Sequence, residues 1–175
     1  MKFTSHYLSP AGNILLASDG ESLTGLWFEG QRYYAAGLSA DAREENGLGL
    51  FAETKAWLDA YFAGRRPSAA ELPLAFGASE YRRVVWKLLT EIPFGQVRTY
   101  GEIALLAAER TGGRASARAA GGAAAHNPIS IIVPCHRVIG AKGELTGYAG
   151  GTERKLMLLR LEGARLPGKI SNVLR

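Results

Sequence analysis

Along the first thirty positions, apolar residues mix with polar ones in three short, strand-length runs, residues 2–7, 13–18 and 22–28. Ser9-Pro10-Ala11-Gly12 and Asp19-Gly20 lie between them. Short runs of strand length punctuated by turn residues predict a β-meander. The pattern then changes: Leu48, Phe51, Trp57, Leu58, Tyr61 and Phe62 recur near helical spacing before Gly64. This predicts a helix over 48–62 that covers one face of the sheet. Residues 64–77 carry Pro67 and Pro73 and no period, so they read as a linker, with a domain boundary near 78. Ser79 then opens a pattern in which Tyr81, Val84, Val85, Leu88, Leu89 and Ile92 follow i, i+3, i+4, i+7 until Pro93. That is a capped amphipathic helix.

Thr99-Tyr100-Gly101-Glu102 has capping-box spacing, with Ile103, Ala104 and Ala107 as an inner face. Gly112-Gly113 breaks this helix, and Ser116 can cap a further one over 117–125. Helix, glycine-bearing turn, helix is the outline of a helix-turn-helix. Apart from Arg118, residues 117–125 are all Ala or Gly. Gly121-Gly122 should cost about 1 kcal/mol per glycine relative to alanine. Such a helix lets its backbone approach something closely, either another helix or a narrow groove of DNA probed by one arginine. Asn127-Pro128 closes it, and the β-branched run Ile131, Ile132, Val133 predicts a buried strand stopped by Pro134. A last helix is expected over 152–162, followed by a basic tail over 164–175.

The domain reading is therefore 1–78 as an α/β scaffold with its linker, 79–163 as a helical helix-turn-helix domain, and 164–175 as the tail. The fold class is α/β plus α, a small antiparallel sheet with a covering helix followed by helices. Charge sharpens this division. Residues 1–78 hold 6 Lys/Arg and 9 Asp/Glu, a net −3, whereas 79–175 hold 15 and 7, a net +8. A basic second module suits a polyanionic partner. The single cysteine excludes a disulfide framework and the usual structural zinc sites, so a reduced cytoplasmic setting is expected. The first residues lack the apolar run of a signal peptide, and no stretch approaches transmembrane length.

That cysteine is Cys135, placed with His136 and Arg137 where the apolar run ends. A neighbouring imidazole and guanidinium both favour the thiolate that a nucleophile needs. A lone cysteine is equally often a small buried hydrophobe. Glu162 shares the apolar face of Leu158 and Leu159 in the last helical turn, where the helix dipole disfavours a carboxylate. It either frays into solvent or accepts a hydrogen bond from His136, giving a Cys–His–Glu relay. His6 stands alone and reads as an ordinary strand residue.

Phe94-Gly95, Thr99-Tyr100-Gly101-Glu102-Ile103-Ala104, Arg118-Ala119-Ala120-Gly121-Gly122-Ala123, Asn127-Pro128 and Val133-Pro134-Cys135-His136-Arg137-Val138 together resemble the O6-alkylguanine-DNA alkyltransferases. Gly147-Tyr148-Ala149-Gly150-Gly151 and Glu162 continue the match, which covers residues 80–163. The resemblance implies a ribonuclease H-like first domain and direct-reversal DNA repair. An alkylated guanine, and by extension O4-alkylated thymine, is flipped from the duplex, and Cys135 takes the alkyl group irreversibly. It implies that His136 acts through a water as base, that Glu162 orients it, and that Asn127 braces the turn. Tyr100 assists flipping and meets the departing guanine, and Arg118 fills the vacated stack. Val138 offers its carbonyl to the guanine amine, and Tyr148 packs on the pocket. Thr99, Ala119, Gly121, Gly122, Arg137 and Ala149 complete the DNA- and base-contacting set. The implied partner is double-stranded DNA entered from the minor groove by a monomer, with no cofactor, metal or membrane.

Three departures from the family pattern stand out. Ala149 occupies a position where many members have serine, the turn over 110–116 is longer than usual, and Ala124-Ala125-His126 replaces bulkier or basic residues. Two rival readings are weighed beside this one. A lesion-recognising relative without chemistry would lack Cys135, and a cysteine hydrolase would give no role to Arg118 or the Ala/Gly helix.

Overall fold

The computed structural model describes residues 1–166, which fall into two compact units: 1–77 with 128–132, and 78–127 with the chain from 133 onward. In the first unit the three short runs form strands, β1 (Phe3–Ser9), β2 (Gly12–Ser18) and β3 (Leu23–Phe28). They pair antiparallel in sequence order, with β2 central and buried from Ile14 to Ser18. Asp19 holds the β2–β3 turn by accepting from the backbone N–H groups of Glu21 and Ser22 at 3.1 and 2.8 Å. Gly25 is required within β3, because the Trp27 ring would lie only 1.9 Å from a Cβ there.

The sheet is mixed, which corrects the wholly antiparallel expectation. A fourth strand, β4 (Arg43–Glu44), adds parallel to β1, giving the order β3-β2-β1-β4. Two exposed charged residues carry no alternation, so this edge strand has no sequence signal; charge also suits an edge that must not recruit other chains. Helix α1 (Gly49–Phe62) buries Leu50, Phe51, Thr54, Trp57, Leu58 and Tyr61. Tyr7 Oη to Asp59 at 2.7 Å and Lys55 Nζ to Ser5 Oγ at 2.8 Å fasten it to β1. The stretch read as a linker is ordered: a short 3-10 turn at Ala69–Glu71 is closed by a Ser68–Glu71 capping box, and Leu74 bridges to Leu23.

The strand expected over 131–133 does not form. Leu26 of β3 accepts from Ser130 N–H and donates to Pro128 O, so the only rung is at Ile129. Ile131 then turns at φ 69°, a left-handed value uncommon for a β-branched residue. Its side chain and those of Ile132 and Val133 are buried all the same. Burial alone selects β-branched apolar residues, and here it does so in a turn.

The second unit holds α2 (Glu80–Thr90), α3 (Tyr100–Thr111), α4 (Ala117–Ala125) and α5 (Thr152–Leu161). Two short parallel strands, β5 (Arg98–Thr99) and β6 (Val138–Ile139), also lie in it. Ser79 stands at the start of α2 without a side-chain capping bond, contrary to its reading as a cap. The Thr99–Glu102 capping box forms in full, Gly112 ends α3 at φ 68°, and Ser116 Oγ accepts from Ala119 N–H. Arg110 grips Glu91 through two bonds of 2.9 and 2.8 Å, tying the end of α3 to the end of α2. The basic tail mostly lies outside the described residues, but its first part packs: Ala164 and Leu166 join Ile139 and Leu159 in a small core cluster.

Candidate active site

Pro134 leads directly into a 3-10 turn formed by Cys135, His136 and Arg137. Asn127, at the end of α4, donates through Nδ2 to Val133 O at 2.7 Å and to Cys135 Sγ at 3.1 Å. One side-chain amide therefore shapes the turn and presents a donor to the sulfur. Cys135 is buried, with 4% of its surface exposed. Burial pushes the thiol up from its ordinary value, opposed by the Asn127 bond and the positive charge of Lys155.

His136 points its Nε2 at Glu162 Oε1, 2.7 Å away, and both side chains are fully buried. Glu162 follows the last residue of α5 as its C-cap. The alternative in which this carboxylate frays into solvent is excluded by its burial. Arg137, which the resemblance placed among DNA contacts, is instead turned inward, with Nε 2.8 Å from Glu162 Oε2 and Nη2 3.0 Å from Oε1. Its Nη1 donates to Ile92 O at 2.6 Å. Gly95 N–H adds a fourth bond to the carboxylate at 3.0 Å. Burial raises the Glu162 carboxyl, but the bonds and charges of His136 and Arg137 outweigh it and hold the group ionised, well below the usual carboxylate range. Burial pushes His136 down, toward the neutral imidazole.

A second set of groups gathers around Tyr100. Its hydroxyl donates to Thr146 O at 2.8 Å, and Lys155 Nζ donates to the same carbonyl at 2.9 Å and to Val138 O at 2.5 Å. Burial and the nearby Cys135 push the Tyr100 hydroxyl up to about 12, and burial pulls Lys155 down to about 8. Tyr148 meets the His136 ring edge-on, with centroids 6.3 Å apart. Ala149 beside it is half-buried. Gly147 lies at φ 75°, and a Cβ there would be 2.5 Å from the Tyr100 hydroxyl.

Helix α4 divides its small residues between two faces. Ala120, Ala123 and Ala124 are buried against the neighbouring helices, and Trp86 Nε1 donates to Ala123 O at 2.8 Å. Arg118, Ala119 and Gly122 are exposed, and Gly121 approaches the Tyr100 ring. The Thr99 hydroxyl is committed to Glu102. Among the described residues, no group of three or more His, Cys, Asp or Glu is placed to hold a metal, and no helix is long and apolar enough to cross a membrane.

The sequence reading missed Lys155. Its signal was present, since Lys155 stands at i−3 and i−4 from Leu158 and Leu159 and so shares the apolar face that singled out Glu162. The Gly95 N–H and the Thr146 carbonyl are backbone groups without any sequence signal.

Comparison with known proteins places this arrangement. The family model described as 6-O-methylguanine DNA methyltransferase, DNA binding domain, matches residues 80–164, and its ribonuclease-like domain matches residues 3–76. The methylated-DNA–protein-cysteine methyltransferase of Mycobacterium leprae is 48% identical over 88% of each chain. That of Methanosarcina acetivorans is 46% identical over 89% of this chain and 95% of its own. Mycobacterium tuberculosis OGT in complex with DNA matches with a TM-score of 0.81 at 40% identity, covering 97% of this chain and 98% of that one. The chain belongs to the O6-methylguanine DNA methyltransferase family, the methylated-DNA–protein-cysteine methyltransferases.

Proposed function

We propose that this protein repairs duplex DNA by moving an alkyl group from O6 of guanine onto Cys135, once per molecule. The observation that carries the reading is the single cysteine, bonded by Asn127 and followed directly by a histidine 2.7 Å from a buried carboxylate. Sulfur attacks the alkyl carbon in line. The S–C bond forms as the C–O6 bond breaks, and the electron pair leaves with the guanine. The thiol proton passes by way of a bridging water to His136, whose imidazolium is stabilised by Glu162. To donate to the departing base, the Tyr100 hydroxyl exchanges its bond to Thr146 O for one to the guanine. Returning the thiol would need a second nucleophile to take the alkyl carbon and a thiolate to leave from an unactivated thioether, so the S–C bond stays.

The exposed face of α4 suits entry into the minor groove, where readout is degenerate and a lesion in any sequence context is accessible. Arg118, exposed on its first turn, fills the gap left by the flipped nucleotide. All of these groups come from one chain, as action by a monomer requires. Incubation with duplex DNA bearing O6-methylguanine should add one methyl per chain, on Cys135, and Cys135→Ser should add none. More turnovers than protein molecules, or an adduct elsewhere, would contradict the reading.

A further inference from the structure

Arg137 has no part in the reaction just described, yet its side chain is only 10% exposed and makes three hydrogen bonds, two to Glu162 and one to Ile92 O. Both oxygens of Glu162 are filled: Oε1 accepts from His136 Nε2 and Arg137 Nη2, and Oε2 from Arg137 Nε and Gly95 N–H. Phe94 lies 5.8 Å beneath the guanidinium carbon. We propose that Arg137 is a positioning residue that keeps the buried His136–Glu162 pair poised with its imidazole neutral, ready to receive the Cys135 proton. The inference rests on the alkyl-transfer reading above.

A bare carboxylate 2.7 Å from an imidazole favours the imidazolium, and a ring already protonated cannot act as a base. A guanidinium lying bidentate on the same carboxylate opposes that field. The surrounding groups leave burial to decide. Facing His136 are Glu162 at the end of α5, Lys155 within α5, Arg137 and the Cys135 thiol in its own turn, and the Tyr148 ring edge from the glycine-rich loop. Beyond the end of α2 the Ile92 carbonyl accepts from Arg137. The bonds from Arg137 and the Gly95 N–H stabilise the ionised carboxylate, so the ring proton of His136 stays on the ring rather than moving along its bond to Glu162. A carboxylate only accepts, so Nε2 carries the ring proton and Nδ1 is the basic nitrogen.

The test is the pH dependence of single-turnover methyl transfer from an O6-methylguanine duplex, measured for the native protein, Arg137→Lys and Arg137→Gln. Arg137→Lys keeps the charge, so the acid limb of the profile stays in place even as the maximal rate falls. Arg137→Gln removes the charge, His136 gains proton affinity, and the acid limb moves up by about one pH unit or more. A limb that stays put in Arg137→Gln, or moves down, overturns the proposal and leaves Arg137 a structural tie. An NMR titration of His136 in the native protein decides the matter even where Arg137→Gln does not fold. The ring should be neutral and protonated on Nε2 at pH 7, and an imidazolium there overturns the proposal. Failure of the native protein to methylate Cys135 would instead strike the reading beneath, with the titration still judging Arg137.

Discussion

Glu162→Gln changes one atom and removes one charge. The native carboxylate accepts four hydrogen bonds from three residues, His136, Arg137 and Gly95. A glutamine amide has one oxygen to accept and one NH2 group that must itself donate, so at least one of the donor pairs meets another donor. The Arg137 guanidinium, whose side chain is 10% exposed, is left without an opposite charge. Removing one partner of a buried ion pair costs about 3–5 kcal/mol. For a chain of this size that lowers Tm by roughly 10 °C or more. The charge also no longer stabilises the imidazolium formed during transfer, so the single-turnover rate should fall by about tenfold or more, on the order of 1.4 kcal/mol in the barrier. Thermal unfolding followed by circular dichroism and quenched-flow methyl transfer read the two effects separately. A Tm within about 2 °C of native would refute the four-bond account of the carboxylate, and an unchanged rate would remove Glu162 from the relay.

Arg118→Ala should impair transfer from duplex DNA far more than transfer from free O6-benzylguanine, and equal losses would argue against stack filling. Lys155→Met removes a positive charge that lowers the Cys135 thiol value, so transfer at pH 7 should slow by about tenfold; an unaltered rate would make Lys155 only a strap between Val138 and Thr146. Gly147→Ala imposes about 1–2 kcal/mol of left-handed strain and sets a Cβ 2.5 Å from the Tyr100 hydroxyl, so activity should drop and the Tyr100–Thr146 bond should break in a crystal structure. Stability should fall on acidification in two stages. His136 is held below its ordinary 6.5 and Glu162 below its ordinary 4.5, so the unfolded chain binds more protons than the native one below each value. The His136 contribution, complete above 6.5, is lost as pH falls below it. The Glu162 contribution is lost below 4.5, and urea titrations at pH 7.5, 5.5 and 4 should show both steps for the native protein and lose the second in Glu162→Gln.

What could be read from the chain alone was whatever depends on near neighbours in sequence. The β-meander, α1, α2, the Thr99–Glu102 box and the Ser116 cap all follow from short runs between turn residues, from a period near 3.6 and from bonds reaching three residues along the backbone. Cys135 and His136 stood out because they adjoin, and Glu162 because a carboxylate on an apolar face demands a partner. Folding alone decided which partner each found. Arg137 is one residue from His136 in sequence, yet its destination depends on where α5 ends and where the Ile92 carbonyl points. Lys155 gains its meaning only from carbonyls 9 and 17 residues away. The run 131–133 has the composition of a strand because it is buried, and whether buried residues extend or turn is settled by the neighbours that fill their backbone bonds. Hydrophobic pattern reports burial and local geometry, whereas the direction of a long polar side chain is set by charges and carbonyls that only the tertiary fold brings within 3 Å.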